Sequence, residues 1–253
     1  MTGPVLQVEN LGRRFGAFTA LEGISATLGR ERITAVIGPN GAGKSTFFNL
    51  LSGALKPTSG TLLFGGRDLR RVPQARFAHL GIARSYQITT VFPRLTAREN
   101  IRTALQARVS RYDFWSRRDR LAGLAERADT LLESVGLAGR RDRPAAALAH
   151  GEQRALEIAI ALAADPTLLL LDEPTAGMGP EETKDMVALL RRLSAERAVL
   201  LVEHKMKMIL GLSERILVLH HGRLIADGSP AEIQADREVR RVYLGQSGGY
   251  GHA

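Results

Sequence analysis

Residues 38 to 46 read Gly38-Pro39-Asn40-Gly41-Ala42-Gly43-Lys44-Ser45-Thr46, which is the spacing GxxxxGK[ST]. Glycines at these positions let the backbone curl around an anion, so that successive N–H groups and the start of the next helix point at phosphate. In such a loop the lysine, here Lys44, reaches the β- and γ-phosphates, and the Ser45 hydroxyl binds Mg²⁺. The chemistry implied is capture of a nucleoside triphosphate. Far downstream, Leu168-Leu169-Leu170-Leu171-Asp172-Glu173 is an apolar run ending in two acids. With a phosphate loop in the same chain, Asp172 is placed to hold Mg²⁺ through water and Glu173 to polarise the attacking water as general base. Without that loop the pair would read as acids capping the next helix.

These groups need a strand before the loop and a helix after it, and the sequence supplies both: the apolar Ile33 to Ile37, then the helix-prone Phe47 to Leu51. Short alternating segments at Val5–Gly16 and Thr19–Gly29 read as antiparallel strands. Thr61 to Phe64, Gly65-Gly66 and Arg67 to Leu69 read as a hairpin turned on glycine. From about residue 96 to 147 the character is helical, opened by the capping box Thr96-Ala97-Arg98-Glu99. An α/β rhythm then returns: a helix from about Gln153 to Ala163, the strand ending at Leu171, a helix over Glu181–Ala195 and a strand over Ala198–Val202. Such alternation predicts a parallel sheet. A strand at Ile216–Leu219, a His221-Gly222 turn and one more strand lead to a final helix capped by Ser229, with Pro230 and Glu232 in its first turn. The glycine-rich end, Gly248 to Ala253, reads as a tail.

The chain has 253 residues, 44% of them hydrophobic, and a formal charge of +9. That length and composition specify a globular protein with material for a sizeable core. There is no cysteine, which excludes disulfides and cysteine-ligated zinc and fits a reducing compartment. No secretory signal and no apolar stretch of membrane-spanning length is visible, so any action on a membrane is expected to run through a partner. Much of the charge is arginine, at 102, 108, 111, 117, 118, 120, 140, 141 and 143. A solvated helical face or a surface held near anionic headgroups accounts for it better than nucleic acid does.

At this point the chain resembles the ATP-binding subunits of ABC transporters, over nearly its whole length. Phe15 stands where that family stacks an aromatic ring on adenine. Gln87, in Ser85-Tyr86-Gln87-Ile88-Thr89, matches the glutamine that contacts metal and water where the membrane partner docks. Leu148-Ala149-His150-Gly151-Glu152-Gln153 holds the signature position, Ala176 to Gly179 the D-loop, and His204 the switch histidine that contacts the γ-phosphate. The resemblance implies a P-loop NTPase (RecA-like) α/β core with an antiparallel β subdomain and an inserted α-helical subdomain. Residues 1–90 would form the β subdomain and the phosphate-loop half of the core, 91–150 the helical subdomain, 151–228 the rest of the core, and 229–253 a terminal helix and tail.

The resemblance further implies a head-to-tail dimer, a homodimer or a pair with a sister ATPase. In it each ATP lies between residues 38–46 of one subunit and Ala149, His150, Gly151, Glu152 and Gln153 of the other. Partners would be hydrophobic permease subunits and an external substrate-binding protein, with ATP and Mg²⁺ as cofactors at the cytoplasmic face of the inner membrane. Two positions depart from the pattern. Ala149 replaces the signature serine, removing a hydroxyl that bonds the γ-phosphate across the dimer, and Gly179 stands where Asp or Asn is usual. Phe47 to Gly53, Phe92 to Thr96, Ala176-Gly177-Met178 and Val202 to Met206 are similar to the ATPases of branched-chain (hydrophobic) amino acid importers. Urea and amide importers are close to that group. A non-transport ABC ATPase acting on nucleic acid would need coiled coils or a tandem cassette, and a silent binding module would not keep Lys44, Asp172, Glu173 and His204.

Overall fold

Strands that are apolar at nearly every position must be covered on both faces, and three such runs form the centre of the computed structural model, which describes residues 5–29, 33–85, 91–109 and 118–244. In chain order, β1 (Leu6–Phe15), β2 (Phe18–Leu28) and β3 (Ile33–Ile37) lead into α1 (Lys44–Leu51), β4 (Ser59–Phe64), β5 (Arg67–Asp68), α2 (Phe77–Leu80) and β6 (Ile82–Ser85). Helices α3 (Ala97–Val109), α4 (Arg118–Ser134) and α5 (His150–Leu162) follow, then β7 (Leu168–Asp172), α6 (Pro180–Ser194) and β8 (Ala198–Val202). The chain closes with α7 (Met206–Leu212), β9 (Arg215–His220), β10 (Arg223–Gly228), α8 (Pro230–Ala235) and α9 (Arg237–Leu244).

Two sheets result. One is antiparallel in the order β2-β1-β4-β5, and the other runs β10-β9-β3-β8-β7-β6. In the larger sheet β9, β3, β8, β7 and β6 pair in parallel, and only the edge strand β10 pairs antiparallel. Successive side chains leave a strand on opposite faces, and the core divides accordingly. Ile33, Leu169, Leu171, Val199 and Leu201 pack with helices α3 to α7 on one side. Val36, Leu168, Leu170, Leu200 and Val202 face α1 and the antiparallel sheet on the other, where Phe47, Phe48, Leu11 and Ile24 are fully covered.

Local chemistry sets the ends of the helices. Glu99 accepts the Thr96 N–H at 2.8 Å and the Thr96 hydroxyl accepts the Glu99 N–H at 3.2 Å, which is the expected capping box. Arg98 binds Asp129 at 2.8 Å and Asp142 at 3.1 Å, tying α3 to α4 and to the loop after it. Two expectations are corrected. Helix α5 starts at His150, three residues before the expected Gln153, because Ala149 is extended and the Glu152 carboxylate accepts its N–H at 3.0 Å. The expected single final helix is two: Asp236 leaves the helical region (ψ 126°) and its Oδ1 accepts the N–H groups of Glu238 and Val239, capping a new helix. The His221-Gly222 turn is as expected, both residues having positive φ of 45° and 76°, the backbone of a tight two-residue hairpin.

Candidate functional site

Strand β3 lies between β9 and β8 and delivers residues 38–46 at its carboxyl end, where ligands of open α/β sheets sit. Two of the loop's glycines, Gly38 and Gly43, are required by contact, while Gly41 has a positive φ of 79° in open space. A side chain at Gly38 would run into the Leu219 carbonyl oxygen. Gly43 has φ +100°, and a Cβ there would lie 2.7 Å from Leu21 Cδ2 and 3.0 Å from the Ala20 oxygen. The N–H groups that open α1 have no acceptor within their own helix, which leaves them for phosphate. Lys44 is buried, and its ammonium donates to the carbonyls of Gly38 at 2.6 Å and Pro39 at 2.9 Å. Burial pulls its pKa below the usual lysine value, while Glu173 and Asp172 are close enough to oppose that. Tyr243 of α9 makes a hydrogen bond with the Gly38 backbone, and burial raises its hydroxyl pKa. The terminal helix thus reaches the phosphate loop.

The acids come from the next strand but one. Asp172 is the last residue of β7, and Glu173, immediately after it, takes the left-handed φ of +48°. That conformation is uncommon outside glycine; here the Glu173 N–H donates to the Val202 oxygen at 2.9 Å, pinning the turn to β8. His204, two residues past the end of β8, places Nε2 2.6 Å from Glu173 Oε1. Between them the buried Glu203 accepts the Thr175 N–H and hydroxyl on one oxygen and the His204 N–H on the other. Lys205 donates to the Thr175 carbonyl at 3.0 Å. A cavity of about 300 Å³ opens between these parts, lined by Asn40, Gly41, Ala42, Gly43, Lys44, Ser45 and Thr46 with Phe18, Glu173 and His204. A nucleophilic water beside the terminal phosphate would meet the Glu173 carboxylate there.

Other named residues are placed elsewhere. Gln87 lies outside the described residues. Phe15 does not line the phosphate cavity; it is half exposed at the β1 end, with the Arg13 guanidinium 4.5 Å from its ring centre. Phe18, its partner across the hairpin, does line it. Ala149, Gly151 and Glu152 line a separate cavity with Glu182 and Met186, so one chain does not bring the signature segment to its own phosphate loop. Ala149 offers no side-chain oxygen to the start of α5. The Gly151 N–H donates instead to Glu182 Oε1 at 3.1 Å, and Gly179 donates to the other Glu182 oxygen at 3.1 Å. These bonds hold the Glu182 carboxyl below the ordinary range. His150 Nε2 contacts the Ala176 carbonyl at 3.0 Å, and Gln153 donates to the Leu148 carbonyl. Arg84, Glu203, Glu182 and Tyr243 escaped the reading of the sequence; only Glu203, an acid at the end of an apolar strand, carried a local signal.

The donors fit Mg²⁺ arriving with a nucleotide. Among the described residues no group of three or more His, Cys, Asp or Glu side chains could hold a metal by itself. Magnesium characteristically takes one or two carboxylates with waters and substrate phosphates, and the glycine cradle beside Ser45 leaves room for those phosphates.

A phosphate loop after one central strand, paired acids after the next but one and a histidine after the strand between them define a P-loop nucleoside triphosphatase. The sequence pattern of the ABC transporter family matches residues 21–176. The chain belongs to that family, and it is an ATPase. A second pattern, described as branched-chain amino acid ATP-binding cassette transporter, matches residues 223–248. The high-affinity branched-chain amino acid transport ATP-binding protein LivG of Salmonella typhimurium is 39% identical, over 98% of this chain and 100% of that protein. BraF of Pseudomonas aeruginosa, a protein of the same description, is 37% identical over 98% and 100%. The crystal structure of the ADP conformation of an ATP-binding cassette of an ABC transporter superposes with a TM-score of 0.84 at 29% identity, over 96% of this chain and 100% of that one.

Proposed function

We propose that this chain is the ATP-hydrolysing subunit of an importer for branched-chain or other hydrophobic amino acids. It works as one of two ATP-binding subunits beneath membrane permeases, at the cytoplasmic face of the inner membrane, with an external binding protein delivering the cargo. The observation that carries the reading is the end-to-end similarity to LivG and BraF, extending through the C-terminal segment at 223–248. Among the described residues no helix is long and apolar enough to cross a membrane, so the path for the cargo belongs to partners.

In this mechanism the 38–46 backbone and Lys44 bind the phosphates of ATP. Ser45, and Asp172 through water, would hold Mg²⁺, which would supply neutralisation of charge on the phosphates. Glu173 accepts the proton of the attacking water, and His204, fixed at 2.6 Å from it, orients the carboxylate and meets the terminal phosphate. Because the signature segment lies in another cavity, a second subunit closes the site with its Ala149 to Gln153. The Glu182 contact to Gly151 means that this closing face is already tied to α6 before any phosphate arrives. A groove of about 760 Å³ between β6, α2, α3 and α5 is walled by small residues, among them Ala83, Ala104, Ala107 and Ala161. Ser85, the last described residue of β6, also lines it. That small-residue wall suits close approach of a permease helix.

The adenine is assigned to Phe15, whose ring is half exposed and has the Arg13 guanidinium 4.5 Å from its centre. Base stacking of this kind is worth about 1–3 kcal/mol. Phe15→Ala is therefore expected to weaken ATP binding about tenfold in a fluorescent-nucleotide titration, with Phe18→Ala changing it far less; the opposite order would transfer the role to Phe18. For the transport reading, a tagged chain expressed with its genomic neighbours should copurify with two hydrophobic permeases. Its ATPase should rise when a binding protein loaded with leucine, isoleucine or valine is added. Copurification with an exporter or a lipid-extraction complex would overturn the substrate class.

A further inference from the structure

Arg84 sits on β6, next to β7 in the parallel sheet, and its guanidinium donates to Asp172 Oδ2 at 2.8 Å. Both side chains are buried, 9% and 10% exposed. The same guanidinium donates from its other terminal nitrogen to Asn49 Oδ1 at 2.6 Å and to the Ser52 hydroxyl at 3.0 Å. Asn49 is on α1, the helix that begins at Lys44, and Ser52 caps its end. One side chain therefore ties the acid ending β7 to the helix that presents the phosphate loop. It also lines the groove described above.

We propose that Arg84 is a positioning residue for the metal acid: it orients the Asp172 carboxylate and keeps that buried charge neutralised until Mg²⁺ arrives together with a nucleotide. This rests on the reading of Asp172 as the acid that holds Mg²⁺. An unpaired carboxylate in so covered a place is costly, and a buried guanidinium is its natural counter-charge. A divalent cation approaching without phosphates would have to share the carboxylate with a cation already bound to it, and would meet few other donors. With the nucleotide present, the phosphate oxygens supply the missing negative charge, and metal and guanidinium can both be accommodated. Arginine suits this because its planar fork serves the carboxylate on one side and two acceptors on the other. Lysine carries the charge but no such fork.

The test is a Mn²⁺ titration of the full-length chain, followed by electron paramagnetic resonance, with and without ADP. In wild type, Mn²⁺ alone is expected to bind weakly and ADP to tighten it strongly. Arg84→Met removes the charge but keeps the stem, and should bind Mn²⁺ without nucleotide at least about tenfold more tightly, a shift of about 1.4 kcal/mol. The added tightness should vanish in Arg84→Met/Asp172→Asn. The nucleotide-free thermal midpoint of Arg84→Met should fall and be recovered by Mn²⁺ alone, a response wild type lacks. Arg84→Lys should keep the weak nucleotide-free binding. If Arg84→Met does not fold, Arg84→Gln carries the same expectation. Nucleotide-free Mn²⁺ affinity equal to wild type in whichever neutral variant folds overturns the proposal. If instead Asp172→Asn in the otherwise wild-type chain leaves Mn²⁺·ADP binding unchanged, it is the assignment of Asp172 to the metal that fails.

Discussion

Glu173→Gln is expected to stop turnover while leaving ATP bound. The substitution is isosteric, so the left-handed turn at φ +48° and its hydrogen bond to Val202 persist, and the amide can still meet His204. What disappears is the ability to accept a proton from water. General-base catalysis contributes typically about 10²–10⁴-fold, and the rate of phosphate release should fall within that range. Because the phosphate loop is untouched, ATP affinity should stay within about twofold of wild type. On the proposed two-subunit mechanism, a cassette that binds but does not cleave should accumulate in its closed, paired form, so size-exclusion chromatography with ATP and Mg²⁺ should show more dimer for the variant than for wild type. Turnover above a tenth of wild type would move the base role to another group.

Glu203→Ala is expected to produce the largest loss of stability, with activity falling alongside it. The carboxylate is 3% exposed and accepts three donors, the Thr175 N–H and hydroxyl and the His204 N–H. Alanine leaves all three without an acceptor in a space closed to bulk water. A hydrogen bond to a charged group is worth about 1.5–3 kcal/mol, and a buried donor left unpaired is penalised further. Allowing for partial relaxation, the cost is about 3–5 kcal/mol. For a domain of this size each kcal/mol lowers the melting temperature by roughly 2–4 °C, so a drop of about 10 °C should appear in calorimetry. Turnover should fall more than ATP binding, because the bonds lost hold Thr175, next but one to Glu173, and His204 itself. Glu203→Gln keeps the shape and one oxygen acceptor and should lose about half as much stability. A shift below 2 °C for alanine would mean that water replaces the carboxylate.

Much of the fold was legible because its signals are local. The box at Thr96 and Glu99, the glycine turn at 65 and 66, the Ser229 cap and the unbroken apolar runs of β7 and β8 each declare an element within a few residues. Where an end is set by a cap, the expected boundary was off. At α5 the helix begins three residues before the expected Gln153, because Glu152 caps the chain at Ala149. At the C-terminus the Asp236 cap hides inside an otherwise continuous helical pattern.

The sequence by itself determined the phosphate loop, the acids at the end of β7, most of the strands and helices in their order (α2, β6 and α7 went unread), and the family. Those properties depend on side-chain type at fixed short spacing, which is how backbone conformation and phosphate recognition are encoded. The tertiary structure alone decided which distant groups meet. Arg84 reaches Asp172 across 88 residues, Thr175 reaches Glu203 across 28, and Glu182 reaches Gly151 across 31. Each meeting depends on which elements become neighbours. That is set by burying both faces of the large sheet together, a global packing condition with no counterpart in local spacing. The chemistry of the site was therefore written locally, and the positions and counter-charges that make it work arise from the packing of β6, β7 and β8 side by side.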